Sequence, residues 1–311
     1  MIAARKLKIL AGACASLALA AGTAGCTQTQ SSYAPVSSAE APAIEAPALW
    51  RIADEDTTIY VFGTVHALPD DIEWYSGPVK TALDASDTLV TEIDMTPEAL
   101  AAIGAVVQEK AMLPEGTTVR SLLSDEQLAT YEAKLTELGI PVNALDPLEP
   151  WMATLQLSQI AFAREGVTGE NGTEKVLEAL VGDSKGRDAL ETAAFQFEIF
   201  DELPQDVQIE YLMETLEEFD GLGASLQQMI DEWAVGDVQE LGEMMNEALE
   251  ADPVLADRLL YARNANWAVW IDERLDSPGT IFMAVGAGHL AGRQKLQDKL
   301  AERGIDIARI Q

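Results

Sequence analysis

Apolar runs divide the chain into strands near both of its ends and helices between them. Residues 57–62 combine β-branched and aromatic side chains, residues 88–93 have the composition of a strand, and residues 280–285 are continuously apolar. Unbroken runs of this length are typical of strands that are covered on both faces of an α/β sheet. A further short strand is expected at residues 305–310. The pattern predicts a central sheet built from the two ends of the sequence.

The long stretch between these strands has the periodicity and the end signals of helices. Ser124 to Gln127 forms a capping box, and Gly139 with Pro141 ends that helix. Apolar residues recur at helical spacing in further segments, which are 150–163, 207–219, 222–235, 238–249, 254–275 and 291–303. We therefore predict an α/β (α+β) fold in which a helical lobe, about residues 96–275, is inserted into the sheet.

The first 25 residues have the pattern of an export signal. Three cationic residues between positions 5 and 8 precede a short apolar stretch at 9–21, and small residues then lead to Cys26. This resembles a bacterial lipobox, in which Cys26 becomes the lipidated first residue, although Thr23 stands where leucine is usual. The alternative is ordinary cleavage near Ala24, which would leave Cys26 as an unpaired thiol.

The rest of the chain divides into a linker and one large domain. Residues 26–46 are rich in Ser, Ala, Pro and Gln and have little periodicity, which is typical of a flexible tether. Residues 47–311 are numerous enough to bury a substantial core. We therefore expect an exported protein on the periplasmic side of a Gram-negative membrane, held as an outer-membrane lipoprotein.

The acidic composition excludes two classes of partner. The sequence has 52 acidic and 20 basic residues, and its net charge is −32. Such a chain repels nucleic acid and anionic lipid. We expect no nucleic-acid partner, and contact with a membrane only through the lipid anchor.

Both histidines of the chain close a Gly-x-x-His pattern at the exit of a predicted strand. The first pattern joins Gly63 to His66, and the second joins Gly286 to His289. Glu92 lies at the end of the strand at 88–93 in the same way. Because ligands gather beyond the carboxyl ends of strands in open α/β sheets, we expect these side chains to share one site. Glycine at the strand exits lets the backbone turn and approach a bound group closely.

Two imidazoles and one carboxylate are sufficient to bind a divalent metal and leave positions open for water and substrate. We therefore predict that His66, Glu92 and His289 are metal ligands. The alternative is that each is a structural residue at a strand end. The sequence has no His-Glu-x-x-His helix, no Gly-x-Ser-x-Gly turn and no P-loop.

Three further polar residues are candidates for the same cleft. Glu191 follows a short predicted strand, and Arg263 with Asn264 stands in the helical segment that leads to the second histidine. Arg263 and Asn264 could orient substrate carbonyls or stabilise developing negative charge. The alternative for this pair is a charge on the helix surface beside a capping amide.

An ordered set of motifs resembles the TraB/PrgY/GumN family over nearly all of the chain after residue 48. The motifs are Leu49-Trp50-Arg51, residues 60–66, residues 89–94, residues 190–196, Arg263-Asn264 and residues 285–292. One position departs from the pattern: family members often have Gly-hydrophobic-Asp where this chain has Gly172-Thr173-Glu174. Because Glu is longer than Asp, we expect no site role for Glu174.

The resemblance implies an activity that the spacing alone does not. The family is similar to the Tiki proteases, whose two Gly-x-x-His motifs and glutamate correspond here to His66, His289 and Glu92. Manganese or cobalt is the metal associated with those enzymes, and zinc stays open. The wider group resembles the erythromycin-esterase and ChaN fold, which includes a hydrolase and a haem-binding lipoprotein.

These observations favour a metal-dependent hydrolase of the cell envelope, most simply a peptidase, with a peptide or small-molecule substrate. Catalytic roles are expected for Glu92, Glu191, Arg263 and Asn264. The main alternative is a non-catalytic envelope lipoprotein that binds haem or a peptide. A third reading is a structural or regulatory protein without turnover.

Overall fold

A computed structural model describes residues 46–249 and 252–311. The predicted export signal, Cys26 and the predicted linker up to residue 45 lie outside the described residues. Within the described part, one six-stranded sheet has the order β4-β3-β5-β2-β1-β6. The strands are β1 Leu49–Ala53, β2 Thr57–Thr64, β3 Thr88–Ile93, β4 Gly186–Glu191, β5 Gly279–Gly286 and β6 Ala308–Arg309.

The middle of the sheet joins the two ends of the sequence. Strand β5 lies between β2 and β3 and is parallel to both, and β4 continues the parallel set beyond β3. Strand β1 is antiparallel to β2, and β6 is antiparallel to β1. The carboxyl ends of β2, β3, β4 and β5 therefore lie at one edge of the sheet. The predicted α/β class with its helical insertion is confirmed.

The helices follow the predicted segments closely, with additional ones that the pattern did not isolate. They are α1 Gly77–Ala85, α2 Pro97–Lys110, α3 Asp125–Leu138, α4 Pro150–Arg164, α5 Thr173–Val181, α6 Ala193–Asp201, α7 Gln205–Glu217, α8 Phe219–Val235, α9 Val238–Leu249, α10 Pro253–Ala256, α11 Ala262–Leu275 and α12 Leu296–Glu302. None of these described helices is both long and apolar enough to cross a bilayer.

Local rules account for the best-predicted helix. The Ser124 side chain accepts from the Gln127 backbone N–H, and the Gln127 side chain accepts from the Ser124 N–H. Gly139 ends α3 in the left-handed conformation, with φ 74°. Both ends of α3 are thus set by residues within or beside it, as expected for capping interactions.

The carboxyl-terminal segment was predicted less well. The last helix begins at Leu296 and not at residue 291, because Gly292 (φ 73°) and Gln294 (φ 50°) adopt backbone conformations outside the helical region. The strand predicted at 305–310 is reduced to the two residues of β6, and β1 is a strand that the apolar pattern did not reveal.

Apolar side chains cover both faces of the sheet. On one face, Trp267 and Ile271 of α11 share a buried cluster with Val61 and Met283. The other face carries a second cluster, which combines strand residues with helices α1, α4, α5, α7 and α8. A third cluster lies among α2, α4, α6, α7 and α10. Because α4 contributes to both the second and the third cluster, the helical lobe is continuous with the core of the sheet.

Candidate functional site

Polar side chains meet where the parallel strands end. His66 follows β2, Glu92 lies near the end of β3, Glu191 ends β4, and His289 lies in the 3₁₀ turn after β5. The relative exposure of His66, Glu92 and His289 is 7%, 5% and 3%. Such burial is unusual for polar residues that have no partners, so their contacts decide what the cluster can do.

Gly286 lies at the point around which three of these side chains gather. A β-carbon on Gly286 would lie 3.1 Å from Glu92 Oε1, 3.6 Å from His66 Nε2 and 3.6 Å from His289 Cδ2. The Gly286 backbone N–H also donates to Glu92 Oε1 at 2.7 Å. Its φ of −50° is open to any residue, so space and not backbone conformation requires glycine here. At Gly63 an added β-carbon would lie 3.2 Å from Ala287 Cα, which again reflects close packing.

The Arg263 guanidinium connects the ends of three strands. Its Nη2 lies 2.6 Å from Glu92 Oε2 and 2.9 Å from Glu191 Oε2, and its Nε donates to both Glu191 oxygens at 3.0 Å. Its Nη1 donates to the Leu259 carbonyl at 2.8 Å and lies 3.1 Å from His289 Nε2. Charge-assisted hydrogen bonds of this kind are short and directional, so Arg263 fixes the two carboxylates relative to each other.

A π-helical turn precedes this arginine. Residues Asp257–Tyr261 form the turn, and the Ala262 N–H donates a hydrogen bond to the Asp257 carbonyl. The extra residue per turn changes which side chains of α11 face the sheet, and such turns recur at functional sites. Arg263 and Asn264 are both buried. The alternative that placed this pair on the helix surface is therefore wrong.

Two further residues hold the carboxylates. Gln196 Nε2 donates to Glu92 Oε2 at 3.0 Å and to Glu191 Oε2 at 3.2 Å, and Trp267 Nε1 donates to Glu191 Oε1 at 2.8 Å. Sequence reasoning gave neither residue a place in the site. Gln196 ends one of the family-like motifs, which could have pointed to it, whereas Trp267 has only the appearance of a core residue.

The imidazole of His289 is oriented by an amide. Its Nδ1 lies 2.7 Å from Asn264 Oδ1, and the Asn264 amide nitrogen donates to the Gln294 carbonyl at 2.9 Å. Because Asn264 Oδ1 can only accept, His289 Nδ1 carries the proton and its Nε2 accepts from Arg263. The indole of Trp267 packs against this ring, with 4.1 Å between the ring centroids.

A carboxylate orients the other imidazole. Glu174 Oε1 lies 2.6 Å from His66 Nδ1, and both side chains are buried. Excluding Glu174 from the site was therefore wrong. Its side chain reaches His66 from the first turn of α5, so the greater length of Glu does not prevent a place in the site.

The chain matches the model of the TraB/PrgY/gumN family over residues 48–309. It belongs to the TraB/PrgY/gumN family. The matched range covers β1 through β6 and so includes every residue of the site described above. No curated protein and no solved structure matches the chain.

The site of this TraB/PrgY/gumN family member holds its ionisable groups in different charge states. Burial and the Arg263 cation hold the pKa of His289 well below its usual value, so this ring is neutral at neutral pH. Burial also lowers the pKa of His66, but the Glu174 carboxylate outweighs it and the net pKa is raised. Burial would raise the pKa of Glu92, yet Arg263 and the two histidines hold it well below its usual range. Glu92 is therefore ionised.

The donor types fit a divalent cation. As they are arranged, no three His, Cys, Asp or Glu side chains within 46–249 and 252–311 are spaced to hold a metal ion. Glu92 Oε1 and His289 Nε2 are 3.8 Å apart. Neighbouring ligands in a tetrahedral site with bonds of about 2.1 Å lie roughly 3.4 Å apart. A metal ion on His289 Nε2 would also have to displace Arg263 Nη1, which lies 3.1 Å from that nitrogen. The Nδ1 atoms of His66 and His289 each face an oxygen acceptor, as is usual for metal-binding histidines.

Proposed function

We propose that this protein is a metal-dependent hydrolase, with peptides as its substrate class and with His66, Glu92 and His289 as the metal ligands. One observation carries the proposal: Glu92 Oε1, His66 Nε2 and the His289 ring all face the small space at Gly286. Imidazole nitrogen and carboxylate oxygen are the donor types of hydrolytic metal centres.

The charge states of Glu92 and His289 support ligand roles for these two residues, whereas His66, whose pKa is raised, would have to lose a proton on binding a metal. His289 is neutral and Glu92 is ionised, and metal ligands must be deprotonated in this way. The low pKa of Glu92 makes it a poor proton acceptor, so we assign it to metal binding and not to general-base catalysis. A divalent cation bound here would polarise a substrate carbonyl and lower the pKa of water to about 7.

The neighbouring residues have supporting roles in this proposal. Arg263 Nη1 lies beside His289 Nε2, where it can stabilise negative charge that develops on a substrate oxygen. Both Glu191 oxygens already accept hydrogen bonds from Arg263. We therefore assign Glu191 to holding Arg263, and Asn264 to holding His289.

The contacts of His289 affect the metal proposal and the haem-binding alternative alike. Its two ring nitrogens contact Asn264 and Arg263, and Trp267 packs against the ring. A bond from His289 Nε2 to a haem iron or to a divalent metal ion would have to displace Arg263 Nη1, so this contact does not decide between the two proposals. For the whole protein we further propose export and anchoring through Cys26, on the pattern of the first 26 residues.

The test measures metal content and peptide cleavage in the purified mature protein. Elemental analysis after incubation with Mn²⁺, followed by a peptide-library assay, is expected to give about one metal ion per chain and Mn²⁺-dependent cleavage. His66→Ala and His289→Ala should each lower cleavage by more than about 100-fold, because losing a ligand exceeds the 10–100-fold effect of losing a ligand's partner.

Glu178→Gln is the matched control. Glu178 lies on α5 and pairs with Arg187, away from the two histidines, so this variant should behave as the wild type. Equal Mn²⁺ content and equal cleavage in the wild type and both histidine variants would refute the hydrolase proposal. A strong visible band on titration with haem would instead support the binding alternative.

A further inference from the structure

The start of helix α5 is bound tightly to the segment that carries His66. The Thr173 N–H donates to the Val65 carbonyl at 2.9 Å, and the Val65 N–H donates to Thr173 Oγ1 at 3.0 Å. Thr173 Oγ1 also lies 3.1 Å from the Val65 carbonyl and 3.3 Å from Glu174 Oε2. These contacts connect residues that are 108 positions apart in the sequence.

The neighbouring glycine brings the same two segments into direct backbone contact. A β-carbon on Gly172 would lie 2.1 Å from the His66 carbonyl oxygen and 2.7 Å from its carbonyl carbon. Neither atom belongs to a flexible side chain, so only glycine allows this approach. The backbone of His66 is therefore held on one side by Gly172 and, through Val65, by Thr173.

The third residue of the segment acts on the ring of His66. Glu174 Oε1 lies 2.6 Å from His66 Nδ1, and the two side chains are only 6% and 9% exposed. A carboxylate oxygen at this distance accepts a hydrogen bond from the ring, which places the proton on His66 Nδ1. That contact turns Nε2 toward Gly286, where it lies near Glu92 Oε1.

We propose that Gly172, Thr173 and Glu174 form a clamp that positions His66, in which Glu174 fixes the Nδ1-protonated tautomer of the ring and directs Nε2 into the site. Glu174 is a positioning residue, because it touches His66 and not the reacting atoms. The consequence for metal affinity rests on the proposed function, whereas the consequence for the tautomer does not.

The two histidines are thus held by different acceptors. His289 faces the neutral amide of Asn264, and His66 faces the carboxylate of Glu174. A carboxylate partner on Nδ1 makes Nε2 a stronger electron-pair donor to a metal than an amide partner does. Loss of such a carboxylate typically lowers metal affinity about 10–100-fold. Replacing Glu174 should therefore weaken metal binding although Glu174 itself is not a ligand.

Nitrogen-15 NMR of the imidazole rings tests the clamp directly. The chain contains only two histidines, so long-range ¹H–¹⁵N correlations yield two ring patterns, and His289→Gln assigns them. With the rings neutral, wild-type His66 is expected to show a protonated Nδ1 and an unprotonated Nε2. Glu174→Ala and Glu174→Gln should give a mixture of tautomers, because alanine offers no acceptor and glutamine can donate as well as accept.

Affinity for Mn²⁺, measured by calorimetry on the mature protein, is the second readout. We expect Glu174→Ala to weaken Mn²⁺ binding about 10–100-fold and Glu174→Gln to weaken it by less. The control Glu178→Gln lies one turn further along α5 and should leave both the tautomer and the Mn²⁺ affinity unchanged. If Glu174→Ala does not fold, Glu174→Gln, which has nearly the same volume, supplies both readouts.

The outcomes separate the clamp from the hydrolase proposal. An unchanged His66 tautomer in the folded Glu174 variants would overturn the clamp, whatever their Mn²⁺ affinity. A wild type that binds no Mn²⁺ but shows the predicted tautomer, lost in the variants, would refute the metal site and support the clamp. A purely structural role would lower stability and leave the tautomer as it is.

Discussion

Replacing Arg263 with methionine is expected to lower the free energy of unfolding by about 3–5 kcal/mol. The wild-type guanidinium is buried and binds both Glu92 and Glu191. Methionine fills much of the same volume but leaves two carboxylates buried without their cation. Removing one partner of a buried ion pair costs more stability than the pair contributes, because the remaining charge stays desolvated.

Urea denaturation of Arg263→Met and of a matched arginine variant measures this effect. Arg120 pairs with Asp146 and Glu132, and its side chain is 30% exposed. Arg120→Met should therefore cost much less stability than Arg263→Met, since solvent screens exposed pairs. A similar loss in both variants would show that burial does not decide the strength of the Arg263 network.

The same network predicts how stability depends on pH. The folded pKa of Glu92 lies well below its ordinary value of 4.5, so its contribution to stability is complete above that value and is lost as the pH falls below it. In Arg263→Met the effect of burial, which raises the pKa of Glu92, is no longer offset by the Arg263 cation. Protonation of Glu92 at low pH then removes the buried charge that destabilises the variant. The gap in stability between wild type and variant should narrow from pH 7 to pH 4. A gap that is constant across this range would contradict the ionic explanation.

Gly172→Ala is expected to destabilise the protein by about 2–3 kcal/mol. The φ of Gly172 is −54°, which alanine adopts without strain, so backbone conformation is not the cause. The added β-carbon would instead meet the His66 carbonyl oxygen at 2.1 Å. Relief requires α5 or the segment at His66 to move, and that movement breaks the hydrogen bonds between Thr173 and Val65.

Gly104→Ala gives the opposite sign and is the control. Gly104 is exposed in α2, and a β-carbon there would have no neighbour within 4 Å. Alanine should stabilise this helix by about 0.5–1 kcal/mol, because glycine loses more conformational entropy on folding. Thermal unfolding of the two variants should therefore show shifts in opposite directions. A gain in stability from Gly172→Ala would mean that the close approach to His66 does not exist in solution.

Residues at the ends of strands were predictable from the sequence. His66, Glu92 and His289 each follow a short apolar run, and the position of such a residue depends on its own strand. Parallel strands then bring their carboxyl ends to one edge of the sheet. Local pattern and one topological rule were therefore sufficient to group these three residues. Their roles as metal ligands stay predictions.

Residues whose partners are distant could not be identified in this way. Glu174 has the setting of an ordinary acidic residue in the first turn of an amphipathic helix. Its contact with His66 depends on how α5 packs against the loop after β2. Gln196 was missed for the same reason, because its bond to Glu92 spans 104 positions.

The α/β class, the family and the polar residues at the strand exits could be predicted from the amino-acid sequence alone, because apolar periodicity and short motifs are local properties. The burial of Arg263 between two carboxylates and the contact of Glu174 with His66 depend instead on how the helices pack against the sheet. Burial makes the contacts between these charges strong and specific, and no local pattern reveals which charges the packing will bury. For Arg263 a π-turn beside α11 also changes which residues face the sheet, and no spacing pattern encodes that turn.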